Sequence, residues 1–277
     1  MDLINKLSSP DGSAKYLWRL TDGNTIESIY FTALGLSNLC ISTQIGCNVG
    51  CTFCETGKQR SLRNLTADEI LAQVTGTLDD LAGPPRLSQV IFAGMGEPLH
   101  NFTSIKHAAR RLRIASLTNR VICFTAGIPS RIRELAHTDV SMLFISLHAT
   151  TDHQRDSLVP INRKYPIADI LQAARDYFAS TQTPVRVNYL LLADVNDSEG
   201  DAERLSTLLD PHVFIIQLSQ WNYIAGTQFS LSPRLPEFQE YLATRGFVVY
   251  HTKSRATELA GGCGQLRSRQ QDGYPSR

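Results

Sequence analysis

One short segment of the chain carries three cysteines, Cys47, Cys51 and Cys54, in the spacing C-x3-C-x2-C. A tetrahedral zinc site or a closed iron–sulfur cluster uses four protein ligands, whereas this segment supplies only three thiolates. Three thiolates can bind three irons of a 4Fe–4S cluster and leave the fourth iron to a small molecule. The spacing therefore predicts an open 4Fe–4S cluster, and three free or zinc-binding thiols are the alternative.

A second motif, GMGEP, contains Gly96 and Glu97 and follows the predicted strand Gln89–Ala93. Its glycines let the backbone approach a ligand closely, and the Glu97 carboxylate can accept hydrogen bonds from an ammonium group. Enzymes that cleave S-adenosylmethionine (SAM) to a radical use an open three-cysteine cluster. GMGEP lies one βα unit after the cysteines, and this position indicates that it binds the amino group of SAM. The alternative is an ordinary strand-to-helix turn.

Two further predicted strands end in polar residues. Ser146, Leu147 and His148 close one strand, and Asn222 follows another. Because chemistry in α/β barrels gathers at the carboxyl ends of the strands, these residues are predicted to join the SAM site. A lone histidine at a strand end is more often a core residue, but three such motifs at three strand ends favour a shared site.

The elements that position these residues alternate between short apolar strands and helices, which indicates parallel βαβ units. The predicted strands are Ile29–Ala33, Leu39–Gln44, Gln89–Ala93, Val121–Thr125, Met142–His148, Val185–Leu192, Val213–Leu218 and Phe247–His251. The predicted helices are Ala67–Leu81, Phe102–Ile114, Arg131–His137, Ile167–Thr181, Gly200–Leu209 and Pro236–Arg245. Thr66 and Glu69 form a capping box before the first helix. This order predicts an α/β fold, an open or incomplete barrel with short N- and C-terminal extensions.

Composition is that of an ordinary globular protein, with 277 residues, 42% hydrophobic and 19% charged. The net charge of +1 does not indicate strong electrostatic attraction to nucleic acid. No apolar run approaches the roughly 18 to 20 residues that span a membrane, and the first residues lack the apolar core of a signal peptide. We therefore expect a cytoplasmic protein, in which six cysteines serve as metal ligands or catalytic thiols more often than as disulfides.

From about Asp22 to Leu266 the chain resembles the RlmN/Cfr family of radical SAM adenine methyltransferases. The matching motifs are LCISTQIGC, FCETGKQRSLRNLTADEI, GMGEPL, SLHATTD, LVPINRKYPI, ADVND and GGCGQL. The resemblance implies a partial (β/α)6 TIM-like barrel over residues 27–266, an N-terminal extension of residues 1–26 and a flexible tail of residues 267–277. It also implies one 4Fe–4S cluster, SAM, a reductant such as flavodoxin or ferredoxin, and a monomer that does not bind membranes.

The same resemblance implies that SAM is used twice. One SAM methylates a cysteine, and a second is reduced to a 5′-deoxyadenosyl radical, which takes hydrogen from the S-methylcysteine. The carbon radical then adds to an sp2 carbon, C2 or C8, of adenine in ribosomal or transfer RNA.

Three residues outside the cluster motif match catalytic positions of the family. Cys263 in GGCGQL matches the methyl-carrying cysteine, and Cys40 matches the thiol that releases the product through a transient disulfide with it. Glu27 matches the general base, which must remove a proton so that the adduct regains aromaticity. The alternatives are a free thiol for Cys263, a buried strand residue for Cys40 and a surface glutamate for Glu27. Cys123 matches no family role and is predicted to be a core residue.

The chain departs from the family pattern in four places. Only 26 residues precede Glu27, whereas the relatives have a longer RNA-binding extension before this position. The STSG-like turn is Phe124-Thr125-Ala126-Gly127, which removes two hydroxyls and puts a polar contact to SAM in doubt. Glu55 replaces a small residue after Cys54, and GGC replaces AAC, which we expect to loosen the loop that carries Cys263.

Three functions follow from these observations, and the leading one is methylation of adenine in RNA. Basic residues that could contact phosphate are Arg110, Arg111, Arg113, Arg131, Arg133, Arg163 and Lys164, although such runs usually form solvated faces. The first alternative keeps the chemistry but acts on a free nucleotide or other small heteroaromatic molecule. The second is a non-methylating iron–sulfur RNA-binding module, which has no need for Glu27, Cys40 and Cys263 together.

Overall fold

Ten strands form one sheet, and its first four strands are antiparallel to one another. The computed structural model describes residues 1–81, 86–252, 257–262 and 264–267. Short turns join the antiparallel strands in chain order, as hairpins allow. These strands are β1 (Asp2–Ser8), β2 (Ala14–Arg19), β3 (Thr25–Ala33) and β4 (Leu36–Ile41). A separate two-stranded ladder follows, made of β5 (Gln44–Ile45) and β6 (Arg63–Asn64).

From β4 onward the sheet is parallel, and helices cross between its strands. The remaining strands are β7 (Leu87–Phe92), β8 (Thr118–Thr125), β9 (Met142–Ser146), β10 (Val185–Leu191), β11 (Phe214–Gln220) and β12 (Val249–Thr252). The helices are α1 (Ala67–Leu81), α2 (Phe102–Ile114), α3 (Pro129–Leu135), α4 (Asp152–Leu158), α5 (Ile167–Thr181), α6 (Glu199–Leu208) and α7 (Leu235–Ala243). Short 3₁₀ turns occupy Thr56–Lys58, Pro98–Asn101, Pro160–Arg163 and Thr257–Leu259.

Six helix-containing connections link β4 and β7–β12, so the predicted α/β class is confirmed. In the described part of the chain no ladder joins β12 to β1, and the sheet is open. An open parallel sheet of this kind is compatible with the predicted partial barrel. Within the same part of the chain, no helix has the length and apolar character needed to cross a bilayer.

Three predicted helices match the structure to the residue, namely α1, α2 and α5. The capping box is confirmed: the Thr66 backbone N–H donates to Glu69 at 2.9 Å, and the Glu69 N–H donates to the Thr66 hydroxyl at 3.1 Å. The predicted strand Leu39–Gln44 is too long, because the ladder stops at Ile41. Beyond that point the N–H groups of Thr43 and Gln44 donate to the carbonyl of Met95 instead.

Among the elements that the sequence did not predict are β1, β2, β6 and α4. Strands β1 and β2 extend the same sheet as β3, and position 26, the predicted end of the N-terminal extension, falls within β3. Helix α4 lies in a stretch for which no helix or strand was predicted. Arg267 is the one residue of the predicted flexible tail that belongs to the described ranges, and residues 268–277 lie outside them.

Two apolar clusters underlie the site. The larger fills the space between the sheet and its helices and includes Cys123, which is fully buried as predicted for a core residue. The smaller lies under the cysteine segment, where Cys47, Cys51 and Phe53 pack against it. Its buried members are Val49, Ala126, Ala149, Leu158, Val159, Leu190, Leu192, Trp221 and Ile224. The parallel strand ends therefore supply an apolar floor for the cysteine segment.

Candidate functional site

The cysteine segment forms a loop between β5 and β6. The Cys47 N–H donates to the carbonyl of Gln59 at 2.9 Å, which closes the loop near its ends. The N–H of Thr52 donates to the carbonyl of Leu158 in α4 at 3.1 Å and so fixes the middle of the loop to the parallel sheet. Cys47, Cys51 and Cys54 are partly exposed free thiols, as the opening of a ligand site requires. We call residues 46–59 the cysteine loop.

Burial controls the protonation of these thiols. It raises the pKa of Cys47 to about 12, and it also raises the pKa values of Cys51 and Cys54. The mutual repulsion of the thiolate charges raises the pKa of Cys51 further, whereas the positive charge of Arg155 lowers it. The loop therefore disfavours three bare thiolates, and metal binding must displace the protons.

The residues of this site fit an open 4Fe–4S cluster. Among the described residues, no three cysteine, histidine or acidic side chains are arranged to hold a single metal ion. Thiolates of a 4Fe–4S cluster each bind a different iron, and the three cysteines of this one loop can bind three irons in that way. The buried indole N–H of Trp221 has no hydrogen-bond partner in the described structure, although buried polar groups are normally paired. The same apolar cluster thus offers a donor to a bound ligand.

Glu97 lies at the carboxyl end of β7 and is almost fully buried. Its carboxylate accepts hydrogen bonds from the Thr125 hydroxyl at 2.6 Å, the Ala126 N–H at 2.8 Å and the Leu99 N–H at 2.9 Å. Burial raises the pKa of Glu97, and these three donors oppose that shift. In the substituted turn at Phe124–Gly127, the one hydroxyl donates to Glu97 and also accepts the Gly127 N–H at 3.0 Å.

The two glycines of GMGEP are required by close packing. A Cβ atom on Gly94 would lie 2.6 Å from the backbone of Ile41 at the end of β4. Gly96 has φ +99°, and a Cβ atom there would lie 2.6 Å from the side chain of Gln44. The Gln44 amide oxygen in turn accepts the Glu97 N–H at 2.8 Å. The motif is therefore seated directly against the start of the cysteine loop.

His148 follows β9 in a left-handed backbone conformation, with φ 60°, and is buried. Its Nδ1 accepts the Leu190 N–H at 3.0 Å, so the neutral ring carries its proton on Nε2. Burial lowers the pKa of His148 to about 3, which keeps the ring neutral. The ring meets Phe53 of the cysteine loop edge-on, with centroids 5.0 Å apart. The structure therefore places the His148 ring against the cysteine loop, with one N–H left to donate.

Glu27 lies on β3, fully buried, and is ion-paired with Lys15 of β2 at 3.1 Å. Its second carboxylate oxygen accepts the backbone N–H of Arg267 at 3.1 Å. The Lys15 ammonium also donates to the carbonyl of Ala260 at 3.3 Å. The predicted base is thus an internal residue, and not the surface glutamate of the alternative interpretation.

Cys40 shares a face of the sheet with Glu27. In the antiparallel register Cys40 of β4 pairs with Ile29 of β3, and Lys15 of β2 pairs with the same residue. Paired residues point to one side of a sheet, and so do residues two apart on a strand. Lys15, Glu27 and Cys40 therefore face the same side, towards the C-terminal segment of residues 257–267.

The C-terminal segment crosses from this face to the cysteine loop. The Glu55 N–H donates to the carbonyl of Gly264 at 2.7 Å, and the Thr56 hydroxyl donates to the carbonyl of Leu266 at 2.5 Å. A Cβ atom on Gly262 would lie 2.7 Å from the side-chain nitrogen of Asn222. Close packing against Asn222 thus requires a small residue at Gly262. This differs from the expectation that GGC loosens the loop. Cys263 itself lies outside the described residues.

Two buried cations were absent from the sequence-predicted set. Lys15 sits within an apolar strand, and only the antiparallel register reveals that it meets Glu27. Arg155 has no exposed surface and reaches the ends of β8 and β9 from α4, a helix that was not predicted. For Lys15, the sequence offered one indication of a buried cation, a charged residue inside an otherwise apolar run. For Arg155 it offered no comparable indication.

Several of the basic residues proposed for phosphate contact are neutralised by neighbouring acids. Arg111 pairs with Asp68, and Arg133 pairs with Asp176 at 2.6 Å. Arg131 pairs with the residue one turn later in α3, at 2.8 Å. Exposed pairs of this kind contribute little to stability, but they reduce the positive charge that α2 and α3 offer to a polyanion. They fit the solvated faces that such runs usually form.

Residues 41–205 match the family model described as the Radical SAM superfamily. The chain is 36% identical over 294 residues to the "Dual-specificity RNA methyltransferase RlmN" of Jannaschia sp. (strain CCS1), a match that covers 100% of this chain and 75% of that protein. It is 39% identical over 281 residues to the protein of the same name from Anaeromyxobacter sp. (strain Fw109-5), covering 97% and 74% of the two chains.

Solved structures give a similar result. A radical SAM methyltransferase from Sphaerobacter thermophilus superposes with a TM-score of 0.92 at 34% identity, over 96% of this chain and 81% of that one. Spore photoproduct lyase superposes with a TM-score of 0.56 at 14% identity, over 80% and 78% of the two chains, which indicates a shared fold alone.

Proposed function

Because the chain belongs to the RlmN family of radical SAM enzymes, we propose that it methylates an sp2 carbon, C2 or C8, of adenine in RNA by way of an S-methylcysteine. The observation that carries this proposal is the course of the C-terminal segment. Residues on both sides of position 263 contact the catalytic elements, with Ala260 bound to Lys15 and Gly264 bound to the cysteine loop. That course supports a thiol at position 263 that serves both the cofactor and the substrate.

Within this proposal, Cys47, Cys51 and Cys54 hold the cluster. Glu97 and His148 bind SAM together with Gly96 and with the residues Ser146, Leu147 and Asn222. When bound, the cluster and SAM supply a methyl group and a radical able to abstract hydrogen. The neutral His148 ring can donate one hydrogen bond from Nε2, and the buried Glu97 carboxylate can accept one from an ammonium group. Both are fixed by backbone contacts before a ligand arrives.

Cys263 carries the methyl group as a thioether in the proposed reaction. Loss of one hydrogen from that methyl leaves a carbon radical on the protein, which forms a bond to the adenine carbon. The adduct must give up one electron, for which the oxidised cluster would be the acceptor, and Glu27 takes the proton from that carbon so that the ring regains aromaticity. The thiolate of Cys40 then attacks the Cys263 sulfur, which forms a disulfide and breaks the bond between sulfur and the methylene carbon. The methylene takes up a proton to become the new methyl group, and an external reductant reopens the disulfide. Glu27 and Cys40 lie on the same face of the sheet, which supports their roles as base and resolving thiol at one site.

RNA is the proposed substrate because the relatives at 36% and 39% identity are named as RNA methyltransferases. A free nucleotide is the second candidate. The ion pairs of Arg111, Arg131 and Arg133 favour it, because they reduce the positive charge available to phosphates. The two candidates differ in their dependence on salt, since RNA binding weakens steeply as salt rises.

The test uses SAM that carries a CD3 methyl group. The reconstituted enzyme is incubated with this SAM, a low-potential one-electron reductant and unmodified ribosomal and transfer RNA transcripts, and the RNA is digested to nucleosides for mass spectrometry. We expect methyladenosine with two deuteriums, because one is lost to the radical. A product with three deuteriums would refute the radical route. Methylation of free adenosine nucleotides in preference to RNA would favour the second candidate.

A further inference from the structure

Arg155 is a buried cation that joins separate parts of the site. Its guanidinium donates to three strand-end carbonyls, from Nε to Leu147 at 2.9 Å and from Nη2 to Ser146 at 3.1 Å and to Ala126. Nη1 donates to the side-chain oxygen of Asn162 at 2.9 Å. Since Ala126 also donates its N–H to Glu97 and Leu147 precedes His148, one side chain ties together the two strand ends of the proposed SAM site.

The charge of Arg155 has no direct counter-ion. No carboxylate of the described residues forms an ion pair with it. Removing an unpaired charge from water is costly, so a buried cation of this kind implies a compensating negative charge nearby. Burial lowers the pKa of Arg155 to about 10, which leaves it protonated at neutral pH. The groups whose negative charge opposes this shift are Cys51, Asp152, Glu97 and Asp156.

The helix that carries Arg155, α4, also contacts the cysteine loop. Thr52 donates its N–H to the carbonyl of Leu158, the last residue of α4. A Cβ atom on Gly50 would lie 3.8 Å from Pro160, which begins the following 3₁₀ turn. The loop, α4 and the strand ends therefore form one unit, and the Arg155 side chain crosses its interior.

Asn162 orients this side chain. It is buried, and its amide nitrogen donates to Asp156 at 2.8 Å and to Asp152 at 3.0 Å while its oxygen accepts from Arg155. Because both carboxylates bind the nitrogen, the amide oxygen is left for the guanidinium. Asn162, to which the sequence analysis gave no role within the motif LVPINRKYPI, thereby acquires one.

We propose that Arg155 is a positioning residue that aligns the cysteine loop with the SAM-binding strand ends and supplies the fixed positive charge that balances the thiolate-bound cluster. The inference rests on the proposed ligation of the cluster by Cys47, Cys51 and Cys54. Three thiolates bring three negative charges into a half-buried loop, and one electron from an external donor adds another. A fixed cation stabilises the more negative, reduced state, so the reduction potential of the cluster depends on it.

The experiment compares two variants of the holoenzyme, R155M and R155K, with R133M as a matched control. R133M also removes one arginine charge, but from the exposed pair between Arg133 and Asp176. Iron and sulfide content, the cluster midpoint potential from an EPR-monitored reductive titration, SAM affinity and thermal unfolding are measured for each. A purely structural role would change the unfolding temperature without changing the potential.

We expect R155M to lower the equilibrium constant for cluster reduction about tenfold, or about 59 mV for one electron. R155K keeps the charge but lacks the planar fork, so its potential should stay close to that of the wild type while its SAM affinity falls about tenfold. R133M should change neither property. A full cluster in R155M with an unchanged potential would overturn the proposal.

If R155M does not retain a cluster, R155K decides the question, and unchanged SAM affinity in that variant would overturn the positioning role. The ligation by the three cysteines is tested separately by Cys51→Ala. Iron retained by that variant as a 4Fe–4S cluster would refute the assumed ligands and would be distinguishable from a failure of the Arg155 proposal, because Arg155 is intact in it.

Discussion

The two sides of the candidate site are held in different ways. On the parallel side, backbone groups at the strand ends fix the charged and polar side chains: Glu97 accepts two backbone N–H groups, and Arg155 donates to three carbonyls. On the antiparallel side, Glu27 is held by the Lys15 side chain and by one N–H from Arg267, a residue 240 positions away in the chain.

This difference corresponds to the two tasks of the proposed reaction. Binding a cofactor requires fixed geometry, which strand ends provide because their positions follow from the sheet. Methyl transfer through Cys263 requires that one thiol reach the SAM side and later Cys40. A segment outside the sheet can open locally at lower cost than a strand within it.

Loss of one cluster ligand is expected to have the largest effect and tests whether the parallel side depends on the cofactor. Cys51→Ala leaves two thiolates in the loop, too few to retain an intact 4Fe–4S cluster. We expect no cluster absorbance after anaerobic reconstitution and no detectable methylation. The control is Cys123→Ala, a core position outside the loop, which should assemble the cluster normally. A stable, complete cluster in Cys51→Ala would contradict the ligand assignment.

Loss of Cys40 is expected to stop turnover on the antiparallel side without affecting the cofactor side. Cys40→Ala lacks the thiol that attacks the Cys263 sulfur, so the methylated RNA should stay attached to the protein. A denaturing gel would show a covalent protein–RNA species in amounts close to those of the enzyme, alongside a normal cluster. Multiple turnovers by Cys40→Ala would show that this cysteine has only a structural role.

The Lys15–Glu27 pair tests how firmly the antiparallel side is held. Both side chains are buried, and removing one partner of a buried ion pair costs about 3–5 kcal/mol. We expect Lys15→Met to lower the free energy of unfolding of the apoprotein by that amount, as measured in urea. The double variant Lys15→Met, Glu27→Gln leaves no buried charge unpaired and should lose less than the single variant. Equal losses would mean that the pair is not coupled.

On the parallel side, His148 is expected to have a smaller effect, which is a pH dependence of the folding stability. Its pKa is about 3 in the folded protein because of burial, whereas an unfolded histidine titrates near 6.5. As the pH falls below 6.5, the unfolded chain takes up a proton that the folded protein refuses, so stability decreases. Between pH 6.5 and pH 5 the wild type should lose about 2 kcal/mol more than His148→Gln. Parallel pH dependences of the two proteins would mean that the ring is protonated in the fold.

The sequence predicted the parallel side better than the antiparallel side. The cysteine loop, GMGEP and the strand-end residues Ser146–His148 are local motifs, and the rule that parallel strands end at one edge brings them together. Three helices matched to the residue because their apolar periodicity is regular. Glu27 and Cys40 could be named only through the resemblance to a family.

The elements that the sequence did not predict lack a periodic apolar pattern. Strand β1 is an exposed edge, and α4 is a seven-residue polar helix, DHQRDSL, stabilised by the internal contacts of Arg155. The pairing of Lys15 with Glu27 depends on the register of β2 against β3, which composition does not encode. Likewise, the left-handed backbone of His148 arises from its tertiary position at the end of β9.

The most direct test of the proposed mechanism is the mass of the tryptic peptide ATELAGGCGQLR, residues 256–267, from enzyme incubated with SAM and a reconstituted cluster. It contains Cys263 as its single cysteine. The mechanism predicts one added methyl group on that residue, with a CD3 label appearing when labelled SAM is used, and no such mass in Cys263→Ala. An unmodified Cys263 in an enzyme that methylates RNA would contradict the covalent route and leave the C-terminal segment with a structural role only.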